Sequence, residues 1–238
     1  MRGDLLEITG SDVNHIKNVL RMKPGEEISV SNGQDEKEYR YGIEEIGEDN
    51  VLLRLRFVKE SDVELPVKVY LFQGLPKSDK MDLIVQKAVE LGVHEIIPVS
   101  TARSVVKLDA SKAEKKAARW QTIAQSAAEQ SRRRIVPQVQ PPMRMKEAIG
   151  YAARMTQLQV VPYELQPCDS STGEVLQGLA PGTSIAVFIG PEGGFEKEEV
   201  QQAMEAGAKP ISLGRRILRT ETAGLAFLSW MIYLFEIA

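Results

Sequence analysis

Two glycine-bearing loops, each placed between a short apolar run and a helical pattern, constrain this chain more than any other feature. The first lies in IAVFIGPEGGFEKEEV, starting at Ile185; the second lies in ISLGRRILRTETAGL, ending at Leu225. Ile185 to Ile189 is a continuous apolar run, as a buried parallel strand requires. Gly190-Pro191-Glu192-Gly193-Gly194 then reads as a tight loop, since glycine allows positive φ and close backbone approach. The second loop opens with Gly214 after Ile211-Ser212-Leu213 and carries Arg215, Arg216 and Arg219 ahead of a helix predicted from Thr220. On spacing alone, two readings stay open: strand-to-helix turns that hold nothing, or backbone groups brought close to a flat or extended ligand.

The rest of the chain supplies a frame for those loops. Residues 67 to 238 alternate apolar runs with helical patterns. Strands are expected at Val67–Phe72, Ile96–Val99, Leu158–Val161, Ile185–Ile189 and Ile211–Leu213. Helices are expected at Asp79–Leu91, Ser111–Gln130, Gly173–Leu179, around Gln201–Ala206 and at Thr220–Phe235. That rhythm predicts an α/β domain with a largely parallel sheet, in which ligands bind beyond the carboxyl ends of the strands. Residues 1 to 66 differ, with short alternating strands (Ile28–Val30, Tyr39–Ile43, Val51–Phe57) and one helix, Ser11–Leu20, capped by Ser11. This predicts a small β-barrel domain, and SDVELP, ending at Pro66, reads as the linker.

Composition narrows the function. The formal net charge of −3 argues against a uniformly basic nucleic-acid binder. However, residues 1–66 hold nine Lys+Arg against fifteen Asp+Glu, and the remainder holds 21 against 18, so the C-terminal part is basic. Arg103 with Lys107, the run Arg132-Arg133-Arg134, and Arg215, Arg216 and Arg219 fall after strands or at helix ends. Arginine forks suit phosphate, although a charge run is also ordinary solvated surface. His15, near Lys17 and Arg21, is either an RNA contact or a partly exposed helix histidine. One cysteine, Cys168, excludes an intramolecular disulfide, fits a reducing cytoplasm and with two histidines makes a poor metal set. The N-terminus has no apolar run of signal-peptide length. The most apolar segment, Ala223–Phe235, falls short of the roughly 20 residues that span a bilayer.

Chemistry is limited by what is missing. GPEGG is neither GxGxxG nor a P-loop, and GxSxG and HExxH are absent. Three readings follow: group transfer from an activated donor, in which positioning supplies much of the rate; a catalytically silent RNA-binding protein; and a nucleotide-binding oxidoreductase, which the glycine pattern does not support.

FIGPEGGFEKEEV with SLGRRILRTETAG resembles the paired C-terminal motifs of the RsmE family. HIKNVLRMKPG, KSDKMDLIVQKAVELGV, RSVVK and EQSRRRIVPQV resemble further segments in the family's order. The family belongs to the SPOUT superfamily of S-adenosylmethionine-dependent methyltransferases and methylates uridine N3 in small-subunit (16S) ribosomal RNA. The resemblance implies a PUA-like β-barrel over residues 1–66 and an α/β-knot domain with a deep trefoil knot over residues 67–238. It implies a homodimer acting on 16S ribosomal RNA or the small ribosomal subunit, in the cytoplasm, with no membrane or metal involved. It assigns Ile189, Gly190, Pro191, Glu192, Gly193 and Gly194 to one wall of the cofactor pocket. Leu213, Gly214, Ile217, Leu218 and Thr220 form the other, and the segment Val161 to Glu164 a third loop. Arg219 would stabilise charge developing on the uracil oxygens and Glu221 would take the N3 proton. His15, Arg21, Arg103, Lys107 and Arg132 to Arg134 would contact RNA.

Overall fold

The computed structural model describes residues 4–104, 109–163 and 171–238; Lys107, Glu164 and Cys168 lie outside the described residues. The chain divides into two units. One runs to Glu64 and regains the chain at Arg133–Ile135; the other comprises Leu65–Arg132 and Val136–Ala238.

The first unit is a four-stranded antiparallel sheet in the order β1-β4-β3-β2, with β1 at Leu5–Thr9, β2 at Glu27–Val30, β3 at Lys37–Ile46 and β4 at Asn50–Glu60. Alternation in β4 buries Val51 and Leu53 completely, and Tyr41 and Ile43 of β3 join them. Register shifts at Arg40/Tyr41 and Ile43/Glu45 bend the long β3–β4 ribbon. The helix α1, Ser11–Asn14, continues as a wider π turn through His15–Val19 and seats Val13 and Ile16 on the sheet. Its N-cap position is taken by Gly10, at φ 79°, and no side chain caps it. The expected Ser11 cap is therefore corrected to a glycine-led start.

Residues 133–135 belong to this unit for a specific reason. Glu64 accepts hydrogen bonds from the Arg133 guanidinium (Nε, 3.0 Å), the Arg134 amide (2.9 Å) and the Ile135 amide (3.1 Å). Arg134 pairs with Glu38 at 3.1 Å, and its carbonyl accepts from the Ser31 hydroxyl. The Arg133 and Glu64 side chains are only 4% and 7% exposed.

In the second unit the order is β5 (Lys68–Gly74), α2 (Lys80–Glu90), β6 (Glu95–Ser100), α3 (Ala110–Gln130), β7 (Gln138–Val139), β8 (Met143–Arg144), α4 (Met145–Met155), β9 (Leu158–Pro162), α5 (Ser171–Gln177), β10 (Ser184–Ile189), α6 (Lys197–Glu205), β11 (Lys209–Ile211) and α7 (Thr220–Ile232). The strands pair in the order β11-β9-β10-β5-β6-β7, with β8 also on β6, and every pairing is parallel. The expected parallel α/β domain is thus present. Its central strands read as near-continuous apolar runs because helices cover both faces. Register sets Phe188 beside Phe72, with ring centroids 4.5 Å apart, and Ile189 beside Gln73. Two cores flank the sheet, one around Leu71, Ile84, Val187, Phe227 and Leu228 and the other around Phe72, Phe188, Ala148 and Val200.

That topology places the two loops. The first leaves β10 at the sheet's centre, next to β5. The second leaves β11 at the edge, but α7 packs back against β5, β10 and α2. Residues 212–219 therefore cross the carboxyl ends of β9 and β10, roughly 14 Å at strand spacing, which eight residues reach easily. Phe227, Leu228 and Met231 of α7 are fully buried.

Because removing one member of a buried ion pair leaves the other charge uncompensated, Arg133→Met is expected to destabilise the first unit by about 3–5 kcal/mol. Urea unfolding of the full chain followed by circular dichroism measures it. A loss below about 1 kcal/mol, typical of a surface pair, would contradict the inward-facing role.

Candidate active site

The first glycine loop is held by close backbone approach. A Cβ on Gly74, the last residue of β5, would lie 2.6 Å from Pro191 Cδ and 2.7 Å from its nitrogen, so the strand end and the loop touch backbone to backbone. Gly194 turns the loop at φ 69° and donates its amide to the Pro191 carbonyl at 2.8 Å. Arg103 then clamps it: Nη1 donates to the Gly193 carbonyl at 2.7 Å, and Nε and Nη2 donate to both oxygens of Glu196 at 2.8 and 3.0 Å. Arg103, expected to meet RNA, is engaged by the loop with its side chain 45% exposed. Its guanidinium holds the Glu196 carboxyl below its usual range.

The second loop starts at Ser212, whose amide donates to Thr172 Oγ1 at 2.9 Å. Gly214 adopts φ 108°, and Arg215, Arg216 and Arg219 are exposed. Ile217 is 86% exposed, so its side chain faces solvent and not a wall. Leu213 and Leu218 are half-buried. Arg219 takes the N-cap position of α7 in extended backbone, and its carbonyl accepts from the Thr222 and Ala223 amides.

Thr220, the next residue, joins the loops. Its buried hydroxyl donates to the Gly190 carbonyl at 2.6 Å and accepts from Gln73 Nε2 at 2.9 Å. Gln73 also donates to the Gly74 carbonyl at 3.0 Å, is fully buried, and leaves its Oε1 with no hydrogen-bond partner. Buried polar atoms are almost always paired, so this orphan acceptor marks a place built for a further donor. Gln73 was not among the residues expected from the sequence. A lone amide closing the apolar run VYLF was the signal available.

Carboxylates complete the arrangement. Glu192 accepts from the Lys77 amide at 3.2 and 3.3 Å and lies 3.0 Å from Lys80 Nζ. The same ammonium lies 3.2 Å from Glu221 Oε2. Burial pushes the Glu192 carboxyl up, but hydrogen bonds from its own amide, Lys80 and the Lys77 amide outweigh it and hold it below the usual range. Glu221 is also held low, first by its own amide, against burial, then by Lys80 and Arg219. Both stay ionised at neutral pH.

The remaining expected contacts separate. Arg133 and Arg134 are consumed by Glu64 and Glu38, so the arginine run is mainly a structural clip; only Arg132, at φ 60° after α3, is exposed. His15 and Arg21 are exposed on the first unit. No group of three or more His, Cys, Asp or Glu suited to a metal occurs among the described residues.

A family model described as an RNA methyltransferase domain matches residues 63–232, and one described as an RNA methyltransferase PUA domain matches residues 8–56. Ribosomal RNA small subunit methyltransferase E of Bacillus subtilis is 41% identical over 235 residues, covering 97% of this chain and 90% of its own. The chain belongs to the ribosomal RNA small subunit methyltransferase E family. Solved relatives agree along nearly the whole length of this family member. One is a ribosomal RNA small subunit methyltransferase E from Neisseria gonorrhoeae bound to S-adenosyl methionine, with TM-score 0.81 and 35% identity over 97% of this chain and 92% of that one. Another is a putative methyltransferase from Legionella pneumophila in complex with SAM, with TM-score 0.79 and 36% identity over 98% and 93%.

In this methyltransferase, Thr220→Val keeps the shape of the junction but removes the hydroxyl, stranding Gln73 Nε2 and the Gly190 carbonyl. A loss of about 1–3 kcal/mol is expected from unpairing buried groups, read by thermal unfolding. A change within about 0.5 kcal/mol would mean that the hydroxyl does not join the loops.

Proposed function

We propose that the chain transfers a methyl group from S-adenosylmethionine to N3 of a uridine in 16S ribosomal RNA. The observation that carries this reading is the Thr220 hydroxyl, which brings both glycine loops to the carboxyl ends of β5 and β10, where ligands of open α/β sheets bind. Two solved relatives bound to the methyl donor support the choice of cofactor.

The residues present fit that donor. Backbone groups of Ile189, Gly190, Pro191, Gly193 and Gly194 would hold it on one side, and those of Leu213, Gly214, Ile217 and Leu218 on the other. The orphan Gln73 Oε1 offers an acceptor to a donor N–H or O–H group. Two ionised carboxylates, Glu192 and Glu221, suit a cation. When bound, S-adenosylmethionine supplies an electrophilic methyl on a positively charged sulfur.

The chain's own residues then act on the uracil. N3 must lose its proton as it attacks, and charge moves onto the neighbouring carbonyl oxygens. Arg219, exposed at the start of α7, stabilises that charge. Glu221 receives the proton and releases it to solvent. Held below the ordinary range, Glu221 is a weak base, so much of the catalytic demand falls on Arg219. Arg132, Arg215 and Arg216 bind the RNA backbone, and residues 1–66 with His15 and Arg21 help to hold the substrate. The crossing of residues 212–219 over β9 and β10 supports the threading of a trefoil knot. Exposed Leu83, Tyr233, Leu234 and Ile237 support a homodimer with a second copy over α2 and the C-terminal turn. The site of action is the cytoplasm, on 16S ribosomal RNA or the small subunit.

Single-turnover methylation of 16S ribosomal RNA tests the central assignment. Arg219→Ala should slow the transfer about 10²–10³-fold, the range for loss of one charge-stabilising donor, with donor affinity unchanged by calorimetry. Wild-type rates in that variant would remove Arg219 from the chemistry. Absence of N3-methyluridine from the wild-type product, in nucleoside mass mapping, would overturn the activity itself.

A further inference from the structure

We infer that Lys80 is a positioning residue for this site: its ammonium, set between Glu192 Oε1 at 3.0 Å and Glu221 Oε2 at 3.2 Å, holds the first glycine loop and the start of α7 at a fixed separation. The inference rests on reading the site as a methyl-donor pocket. Three segments far apart in sequence meet at this one cation: the first residue of α2, the GPEGG loop and the first turn of α7.

Each carboxylate is also tied to backbone. Glu192 takes the Lys77 amide at 3.2 and 3.3 Å, so the loop after β5 travels with the first glycine loop. Glu221 is anchored in its helix by its own amide. The lysine is therefore the charged element between two otherwise separately anchored acids. Thr220 bolts the buried side of the junction and Lys80 spans its outer side, where the side chains of Lys80, Glu192 and Glu221 are 30%, 28% and 20% exposed. Ion pairs this exposed add little to stability. Their effect lies in geometry: without the cation, two ionised carboxylates face each other across the junction and drive the walls apart.

Positioning and simple charge make opposite predictions. Loss of Lys80 leaves more negative charge, which alone would favour the donor's sulfonium and change little for the demethylated product, S-adenosylhomocysteine, a zwitterion of no net charge whose thioether sulfur is neutral. A displaced wall weakens both ligands.

Isothermal calorimetry of the full chain with each ligand separates the two. Lys80→Met should weaken S-adenosylmethionine and S-adenosylhomocysteine each about tenfold, with a thermal midpoint within a few degrees of wild type. Lys80→Arg, which keeps the cation, should bind both within about threefold of wild type. Should Lys80→Met not fold, Lys80→Gln takes its place with the same expected loss. Unchanged affinities, tighter donor binding with unaltered product binding, or a loss as large in Lys80→Arg would each overturn the role of Lys80. A wild-type chain that binds neither ligand would instead overturn the donor-pocket reading on which it rests.

Discussion

The hydroxyl of Thr220 is the smallest group in the second unit on which the most depends. It accepts from Gln73 and donates to Gly190, so a strand end, a loop and a helix start share one oxygen. Among buried groups such a bond is worth more for the penalty of breaking it than for its net gain. Its position follows from sheet order. β10 and β5 are neighbours at the centre, so their carboxyl ends open side by side. The chain leaving β11 must cross two strands to bring Thr220 there. The site is therefore a product of topology first and of side chains second.

Charge is layered around that oxygen. The buried layer is neutral and amide-rich, with Gln73 at its centre; the outer layer is ionic, with Lys80 between two carboxylates and Arg103 gripping Glu196. Neutral dipoles avoid the desolvation cost that charges would carry at the same depth.

Much of this was legible in the sequence, and the misses have physical causes. Both glycine loops and the flanking apolar runs could be read because a buried parallel strand needs a continuous apolar string and a tight loop needs glycine. Helix α4 could not. Its buried positions are Met145, Ala148 and Ala152; the two alanines leave a faint periodic signal, and Gly150 interrupts it. Its start is fixed by Glu147 accepting from the Arg144 amide at 2.9 Å, a pairing outside the familiar Ser or Thr pattern. The arginine run 132–134 looked like one rim, but long-range carboxylates decided its fate: Glu64 and Glu38 lie some 70 and 96 residues upstream of their partners. No local pattern carries that information. Gln73 and Lys80 were missed for the same reason, since their partners lie more than a hundred residues away.

The clip formed by residues 133–135 has a temporal meaning as well. During synthesis Glu64 emerges 69 residues before Arg133. At about 5–20 residues per second, that leaves it roughly 3–14 s without its partner. Through that interval the carboxylate must stay hydrated or protonated, so the N-terminal sheet cannot reach its final packing as an independent, first-finished module. Its completion is timed by the C-terminal half of the gene. Any split of the two halves at the linker, in evolution or in the laboratory, leaves behind a sheet with an unanswered buried charge.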